Sequence, residues 1–425
     1  MSTDPAPTDP AVHAGPSPMA PSTRPVWAEI DTGAVRHNAA VLARLAAPAE
    51  LCAVVKADGY GHGAVPVARA ALAGGATWLA VAMVEEGVVL RDAGIDTPVL
   101  VLSEPPAAAM AEVVARRLTP TCYTRAGVMA AADASARAGI ITDVHVKANT
   151  GMHRVGADGA EVLDVVSAVT ASPSLRFAAL WTHFPVADGV EDEDREFTEA
   201  QLARFAGILV TLEAAGMPAP FLHAANSAAT GAYPAARLDM VRCGIALYGV
   251  VPAPAMAPVW DSALAEVGAP ALRPVLSLHA QVTLVRRLDE AERPSYGRLA
   301  PLSQPSFVAT VPLGYADGVP RRYFGAGGTV LIRGKRRPLA GMVTMDQIVV
   351  DCASDEGVSV GDHVVLIGDQ GAQSLTAADW AEALETIAHE VFCGIGPRVP
   401  RVVVGDGVVA DGVVADGVVA DGVDS

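Results

Sequence analysis

At 425 residues the chain exceeds one ordinary domain, and its 51% hydrophobic content against 18% charged residues is enough for large buried cores. The formal net charge of -17 argues against nucleic acid or an anionic membrane as the main partner, although a small anionic ligand remains compatible with it. No apolar run reaches ~18 residues, the length of a membrane span, and no signal peptide is evident, so we expect a cytoplasmic protein.

The two ends of the sequence differ from its middle. Residues 1–25 are rich in Pro, Ala, Ser and Thr, and residues 405–425 repeat Asp-Gly-Val-Val-Ala. Neither segment carries enough large apolar side chains to offset the entropy lost on ordering. We therefore expect a disordered N-terminal extension and a flexible acidic tail.

The five cysteines are odd in number and widely spaced. Their spacing matches no metal-binding pattern, so we expect reduced thiols and no metal site. Cys52 and Cys393 lie in apolar runs, which predicts that both are buried.

Residues 26–250 alternate between short apolar segments and helical segments. The predicted strands are Cys52–Val55, Trp78–Met83, Pro98–Leu102, Thr119–Tyr123, Asp143–Lys147, Phe177–His183, Pro220–Ala224 and Asp239–Arg242. The predicted helices include Val65–Ala73, Ala107–Arg116, Gly127–Ala138 and Asp194–Ala215. Eight strands alternating with helices predict an α/β fold, a (β/α)8 TIM-type barrel, with an open doubly wound sheet as the alternative.

Polar residues at the strand ends favour the barrel. They are Lys56, Lys147, His183, Asn226 and Arg242. In a barrel the carboxyl ends of all strands converge on one face, so these side chains would form one site.

Residues 251–404 predict a second, mainly β domain. Short alternating segments separated by Gly and Pro are typical of such domains. They are Leu276–Arg286, Phe307–Pro312, Val330–Arg333, Ile348–Cys352 and His363–Ile367, with one helix near Ala377–Glu390.

The stretch from Leu51 to Gly63 carries the strongest chemical signal. It reads Leu-Cys-Ala-Val-Val-Lys-Ala-Asp-Gly-Tyr-Gly-His-Gly, a buried strand that ends at Lys56 and a glycine-rich turn. Burial disfavours a charged amine, so Lys56 is suited to condense with an aldehyde such as pyridoxal phosphate. The alternative is a lysine that extends along the barrel rim with its amine in water.

With this stretch the chain resembles the alanine racemase family, over about residues 26–404. Further strings are similar to the family's motifs: His-Val-Lys147-Ala-Asn-Thr-Gly-Met-His-Arg154, Trp-Thr-His183-Phe, Asn226-Ser227, Arg242-Cys-Gly244-Ile245, Gly-Tyr315-Ala-Asp-Gly and Met345-Asp346. The resemblance implies a pyridoxal 5'-phosphate enzyme that interconverts L-alanine and D-alanine. It also implies that the first strand, about Val26–Ile30, joins the second domain.

The resemblance assigns roles to these residues. Lys56 and Tyr315 would be the two catalytic bases, one for each face of the substrate. The cofactor-binding residues would be Lys56, Tyr60, Arg154, His183, Asn226, Ser227, Arg242, Gly244 and Ile245. Arg154, Met345 and Asp346 would bind the substrate, and Lys147 would be a candidate for carbamylation. Arg242 would face the pyridine nitrogen and, because it keeps its proton, would leave that nitrogen unprotonated.

In the family the tyrosine reaches the lysine from the other subunit, which implies a homodimer with shared active sites. Two departures stand out: Asn149 where the family usually has Asp, and Pro397 where a phosphate-binding tyrosine is expected. A proline offers neither hydroxyl nor amide donor, so we expect weaker cofactor binding and a more open entrance. The alternatives are therefore a racemase of serine or of broader specificity, and a catalytically impaired cofactor-binding paralogue.

Overall fold

The computed structural model describes residues 23–405. The predicted disordered extension and acidic tail lie outside the described residues, except for residues 23–25 and 405. No helix within residues 23–405 is long and apolar enough to cross a membrane.

A closed barrel of eight parallel strands follows one separate strand, β1 (Val26–Asp31). The barrel strands are β2 (Glu50–Val54), β3 (Trp78–Val81), β4 (Val99–Val101), β5 (Thr119–Cys122), β6 (Thr142–Lys147), β7 (Leu175–Trp181), β8 (Leu222–His223) and β9 (Met240–Cys243). Strand β9 closes the barrel against β2, with Arg242 opposite Cys52. The barrel confirms the fold class expected from the sequence.

Helices cover the outside of the barrel and connect its strands. They are α1 (Thr32–Ala46), α2 (Ala64–Ala73), α3 (Val84–Asp92), α4 (Met110–Ala115), α5 (Arg125–Ala138), α6 (Gly159–Thr170), α7 (Asp192–Ala214) and α8 (Ser227–Ala232). Asp31 is the N-cap of helix α1, and its carboxylate accepts the Ala34 amide at 2.9 Å. The helix buries one face, which includes Val35 and Leu42.

A further helix, α9 (Ala257–Glu266), lies in a proline- and alanine-rich stretch where no helix was predicted. Pro258 stands in its first turn, where the missing amide removes no helical hydrogen bond.

The second half of the chain forms two β-sheets. Their strands are β10 (Leu276–Gln281), β11 (Leu284–Leu288), β12 (Ser306–Val311), β13 (Thr329–Ile332), β14 (Lys335–Pro338), β15 (Ile348–Asp351), β16 (His363–Gln370), β17 (Gln373–Leu375) and β18 (Arg401–Val404). One sheet has the order β14-β13-β16-β10-β1-β18, with β17 beside β16, and the other has the order β11-β12-β15. Strand β1 runs antiparallel to β10 and parallel to β18, so the first strand belongs to this half of the molecule.

Three details differ from the sequence-based expectations. The single segment predicted over Leu276–Arg286 is two strands, β10 and β11, in different sheets. The helix predicted over Ala377–Glu390 is two helices, α10 (Ala377–Ala383) and α11 (Ala388–Gly394), because Glu385 between them has a left-handed φ of 52°. Cys52 is buried as expected, but Cys393 is exposed.

Candidate active site

A cavity of about 590 Å³ opens at the carboxyl ends of the barrel strands. It is lined by all ten barrel residues that the sequence singled out: Lys56, Tyr60, Lys147, Arg154, His183, Asn226, Ser227, Arg242, Gly244 and Ile245. These residues lie up to 189 positions apart in the chain and come together because parallel barrel strands all end on one face.

The turn after Lys56 is left-handed. Ala57, Asp58 and Tyr60 have φ values of 52°, 50° and 54°, a region that costs a residue with a Cβ atom about 1–2 kcal/mol. Two carboxylates hold this turn. The Ala57 amide donates to Glu86 at 2.6 Å, and Asp58 accepts the Ala64 amide at 2.7 Å. The strained backbone thereby places Lys56 and Tyr60 in the same cavity.

The cavity is rich in cations. Lys56, Lys147, Arg154 and Arg242 line it, and Asp188 is the one carboxylate among its described lining residues. Burial, followed by the charge of Arg154, lowers the pKa of Lys56 below its ordinary value. Burial and the neighbouring cations lower the pKa of Lys147 to about 7. The site therefore attracts anions, and the lowered pKa values favour the neutral, nucleophilic form of both amines.

Arg242 is fully enclosed and donates in several directions. Its guanidinium donates to His223 Nδ1 at 2.9 Å, to His183 Nδ1 at 3.1 Å, and to the carbonyl oxygen of Thr182 at 2.8 Å. Burial lowers its pKa to about 10, which still leaves the guanidinium protonated at neutral pH.

The donors of Arg242 determine the tautomers of the histidines around it. Because arginine can only donate, both His223 and His183 accept at Nδ1 and carry their proton on Nε2. His223 Nε2 then donates to His145 Nδ1 across 3.1 Å. Burial and the nearby Arg242 charge lower the pKa of all three imidazoles, so each is neutral.

A polar cradle lies beside Tyr60. Ser227 Oγ accepts the amides of Gly244 at 2.9 Å and Ala246 at 3.3 Å. A Cβ atom on Gly244 would lie 2.3 Å from the Tyr60 hydroxyl, so glycine lets that hydroxyl approach the backbone. Ile245 begins a short 3₁₀ turn, and the first amides of such a turn have no partner within it. Amides and hydroxyls converging at such a turn are typical of a phosphate site.

The loop that carries Arg154 is held by Asn149. The side-chain oxygen of Asn149 accepts the amides of Gly151 at 3.2 Å and His153 at 3.0 Å, which an aspartate would also do. Its amide nitrogen donates to Asp158 at 2.6 Å, which an aspartate would not do. Asn149 therefore keeps the hydrogen bonds that shape the loop and adds one to Asp158, the residue before α6.

The remaining predicted residues lie apart from the cavity in this chain. Tyr315, Met345 and Asp346 are outside its lining, in the β-sheet half of the molecule. They lie next to one another, since the Tyr315 amide donates to the Thr344 carbonyl at 3.0 Å and the Ala316 amide to the Met345 carbonyl at 3.1 Å. Tyr315 is 43% exposed and Met345 is 51% exposed.

Sequence reasoning missed several residues of the site. Trp181 lines the cavity, with the Lys147 amine 4.3 Å and the Arg242 guanidinium 4.6 Å from its ring centroid. His145 and His223 are two further buried imidazoles beside the site. His145 stands two residues before Lys147 on β6, and that period-two spacing is the one sequence signal that placed it on the same face.

His389, which the sequence analysis did not single out, lies at the cavity, whereas Pro397 does not. His389 lines the cavity and its ring centroid lies 5.6 Å from that of Tyr60. Its Nδ1 atom is buried without a hydrogen-bond partner among the described residues. Pro397 is exposed and does not line the cavity, so the expected loss of a phosphate contact at Pro397 has no basis in the geometry.

Comparisons with known proteins extend over nearly the whole described chain. The family profile "Alanine racemase, N-terminal domain" matches residues 30–252, and "Alanine racemase, C-terminal domain" matches residues 275–403. An alanine racemase of Symbiobacterium thermophilum is 42% identical over 383 residues, covering 90% of this chain and 98% of that protein.

Solved structures agree with this result. The alanine racemase from Bacillus anthracis with bound L-Ala-P superimposes with a TM-score of 0.83 at 34% identity, covering 92% of this chain and 98% of that one. A histidine racemase from Leuconostoc mesenteroides has a TM-score of 0.78 at 28% identity, covering 91% and 99% of the two chains.

Proposed function

Because the chain belongs to the alanine racemase family, we propose that it binds pyridoxal 5'-phosphate at the barrel mouth and uses two bases, Lys56 and Tyr315. The reaction is the interconversion of L-alanine and D-alanine. The observation that carries the cofactor proposal is the cavity itself, in which a half-buried lysine with a lowered pKa lies among three further cations and a polar cradle.

The cavity fits the cofactor at both ends. At one end the hydroxyls of Tyr60 and Ser227 and the amide of Ile245 would hold a phosphate. At the other end Arg242, which stays protonated, would hold the ring nitrogen and would keep a proton off it. When bound, pyridoxal phosphate supplies an electron sink that acidifies the Cα proton of an amino acid.

The chain's own groups then hold and move protons. The Lys56 amine would take a proton from, or return it to, one face of Cα, and the Tyr315 phenol would do so on the other. His183 and Asn226 line the same cavity and would hold the cofactor, and Arg154 would offer a guanidinium to an anionic oxygen.

Lys147 is the proposed site of carbamylation. A neutral lysine amine adds to carbon dioxide, and the pKa of about 7 makes a large neutral fraction available at physiological pH. The resulting carboxylate would provide a negative partner for the cations that crowd the cavity, Arg154 among them.

The position of Tyr315 outside the cavity of its own chain supports a role for a second copy of the chain. Tyr315, Met345 and Asp346 form one exposed group outside the cavity of their own chain. We propose a head-to-tail homodimer in which this group completes the partner's cavity, with Met345 and Asp346 binding the substrate carboxylate end.

The alternative substrates remain part of the proposal. A histidine racemase shares the fold over 91% of this chain, so this architecture supports racemisation of a larger amino acid. His389 at the cavity, and not Pro397, is the position to vary when specificity is studied. An impaired paralogue is disfavoured because Lys56, Arg154, Arg242 and Tyr315 are all present.

The test uses the purified holoenzyme. Borohydride reduction followed by peptide mapping should find the cofactor attached to Lys56. Incubation with L-alanine in deuterium oxide should give D-alanine with deuterium at Cα, faster than the same experiment with L-serine or L-histidine. No attachment at Lys56, or no exchange with any of the three amino acids, would contradict the proposal.

A further inference from the structure

The Tyr315 side chain has little packing of its own within its chain. Because 43% of Tyr315 is exposed, the placement of its backbone decides where the phenol lies. That backbone runs very close to its neighbour: a Cβ atom on Gly314 would lie 2.2 Å from the Thr344 carbonyl oxygen. The two loops are joined by the amides of Tyr315 and Ala316, which donate to Thr344 and Met345.

Asp317, two residues after the phenol, is the charged centre of this loop. Its side chain is completely buried, and a buried carboxylate needs several donors. One oxygen accepts the Gly314 amide at 3.0 Å, which closes the loop on itself. The backbone carbonyl of Asp317 also accepts the Gly396 amide at 3.2 Å.

Two arginines from distant parts of the chain complete the contacts of Asp317. Arg24 donates to both carboxylate oxygens, at 2.8 and 2.9 Å, and also to the Arg398 carbonyl at 2.9 Å. Arg398 lies 3.2 Å from Asp317 and donates to Asp346 at 2.7 Å. Arg24 belongs to the segment expected to be disordered, yet it binds the loop of the second base in a bidentate manner.

We propose that Arg24 and Asp317 are positioning residues, which together with Arg398 hold the Tyr315 loop in one fixed arrangement for the reaction in the partner's cavity. The proposal rests on the assignment of Tyr315 as the second base. It does not concern Lys56, because none of the contacts above reaches that side chain. The two bases therefore allow a selective test.

The experiment compares two rates in the holoenzyme. A Tyr315→Phe variant first identifies the alanine enantiomer whose Cα proton still exchanges with deuterium oxide through Lys56. Exchange of that enantiomer and full racemisation are then measured in Asp317→Asn, Arg24→Ala and Arg24→Lys. Asp355→Asn is the matched control, because it removes a carboxylate paired with Lys335 and Arg337 in the same half of the molecule.

The proposal predicts a selective loss. In Asp317→Asn and Arg24→Ala racemisation should fall about 10²-fold, as expected for a reacting group displaced by about 1 Å. Exchange through Lys56 should change by about twofold or less, the scatter typical of distant sites. Arg24→Lys, which keeps the charge but loses the bidentate geometry, should lie between Arg24→Ala and the wild type. The control should keep both rates.

Two results would overturn the proposal. One is an equal fall of exchange and racemisation in the variants that retain the cofactor, and the other is full racemisation in all of them. If Asp317→Asn does not fold, Arg24→Lys decides between these outcomes, and cofactor attachment at Lys56 reports folding independently of turnover. A wild type without exchange or racemisation would instead refute the proposed function.

Discussion

The contact between Gly244 and Tyr60 gives a quantitative test of the phosphate cradle. A Cβ atom at Gly244 would lie 2.3 Å from the Tyr60 hydroxyl oxygen and 3.1 Å from the ring carbon that bears it. Gly244→Ala must therefore push the hydroxyl out of the cradle, and Tyr60→Phe removes it. If the Tyr60 hydroxyl contacts the phosphate as proposed, both variants lose that same contact.

The expected loss follows from the strength of that contact. A hydrogen bond to a charged group contributes about 1.5–3 kcal/mol, which corresponds to about 10- to 100-fold in affinity. Each single variant should bind pyridoxal phosphate about 10- to 100-fold more weakly than the wild type. The double variant should be about as weak as either single one, because both changes remove one and the same interaction.

The assay is a titration of the cofactor-free protein with pyridoxal phosphate, followed by its absorbance. Tyr323→Phe is the matched control, since this hydroxyl donates to the Thr329 carbonyl at 3.0 Å and lies outside the cavity. Unchanged affinity in Tyr60→Phe, or losses that multiply in the double variant, would refute the assigned cradle.

Three other predictions concern Glu86, which holds the turn after Lys56, and Lys147. Glu86→Gln should lower the free energy of unfolding by about 1–3 kcal/mol in urea titrations, because the carboxylate accepts the amides of Ala57, Ala82 and Met83. The same variant should also lower the pKa of Lys56, because the charge of Glu86 raises that pKa. The pH dependence of cofactor attachment measures this shift. The pKa of Lys147 is about 7 in the folded protein and 10.5 ordinarily. Between these two pH values the unfolded chain therefore binds one more proton than the folded chain, so the free energy of unfolding should rise with pH over this range. Lys147→Met should flatten that rise in carbon dioxide-free buffer, and an identical slope would contradict the assignment. Finally, ¹³C-bicarbonate should give a carbamate NMR signal in the wild type that is stronger at pH 8 than at pH 6 and absent in Lys147→Met.

The barrel and its mouth were accessible from sequence because they depend on local patterns. Each buried strand is a short apolar run, and a polar residue such as Lys56 or Arg242 marks the point where it ends. Once eight such runs alternate with helices, the geometry of a barrel brings their ends together. The five polar residues expected at strand ends therefore line one cavity, and the five further barrel residues implied by the family resemblance line it too.

Contacts between distant segments were not accessible in this way. His223 looks like a core histidine in sequence, and only the structure shows Arg242 donating to one side of its ring while the other side meets His145. Arg24 stands among residues with almost no apolar side chains, so nothing local predicts its contact with Asp317.

Local backbone conformation could not be predicted from the sequence either. The periodicity of Ala377–Glu390 suits one helix, but the left-handed Glu385 divides it and places His389 at the cavity. The resemblance to the family motif pointed to Pro397 as the residue that differs near the cofactor. In the structure His389, eight positions earlier, lines the cavity instead.

Mixing two inactive variants tests most directly whether Lys56 and Tyr315 act across a subunit interface. Lys56→Ala and Tyr315→Phe homodimers should each lack racemase activity. If the bases come from different chains, each mixed dimer contains one intact site, and random exchange of subunits should restore roughly a quarter of wild-type activity. If both bases come from the same chain, every site in the mixed dimer lacks one of them, and the mixture will remain inactive.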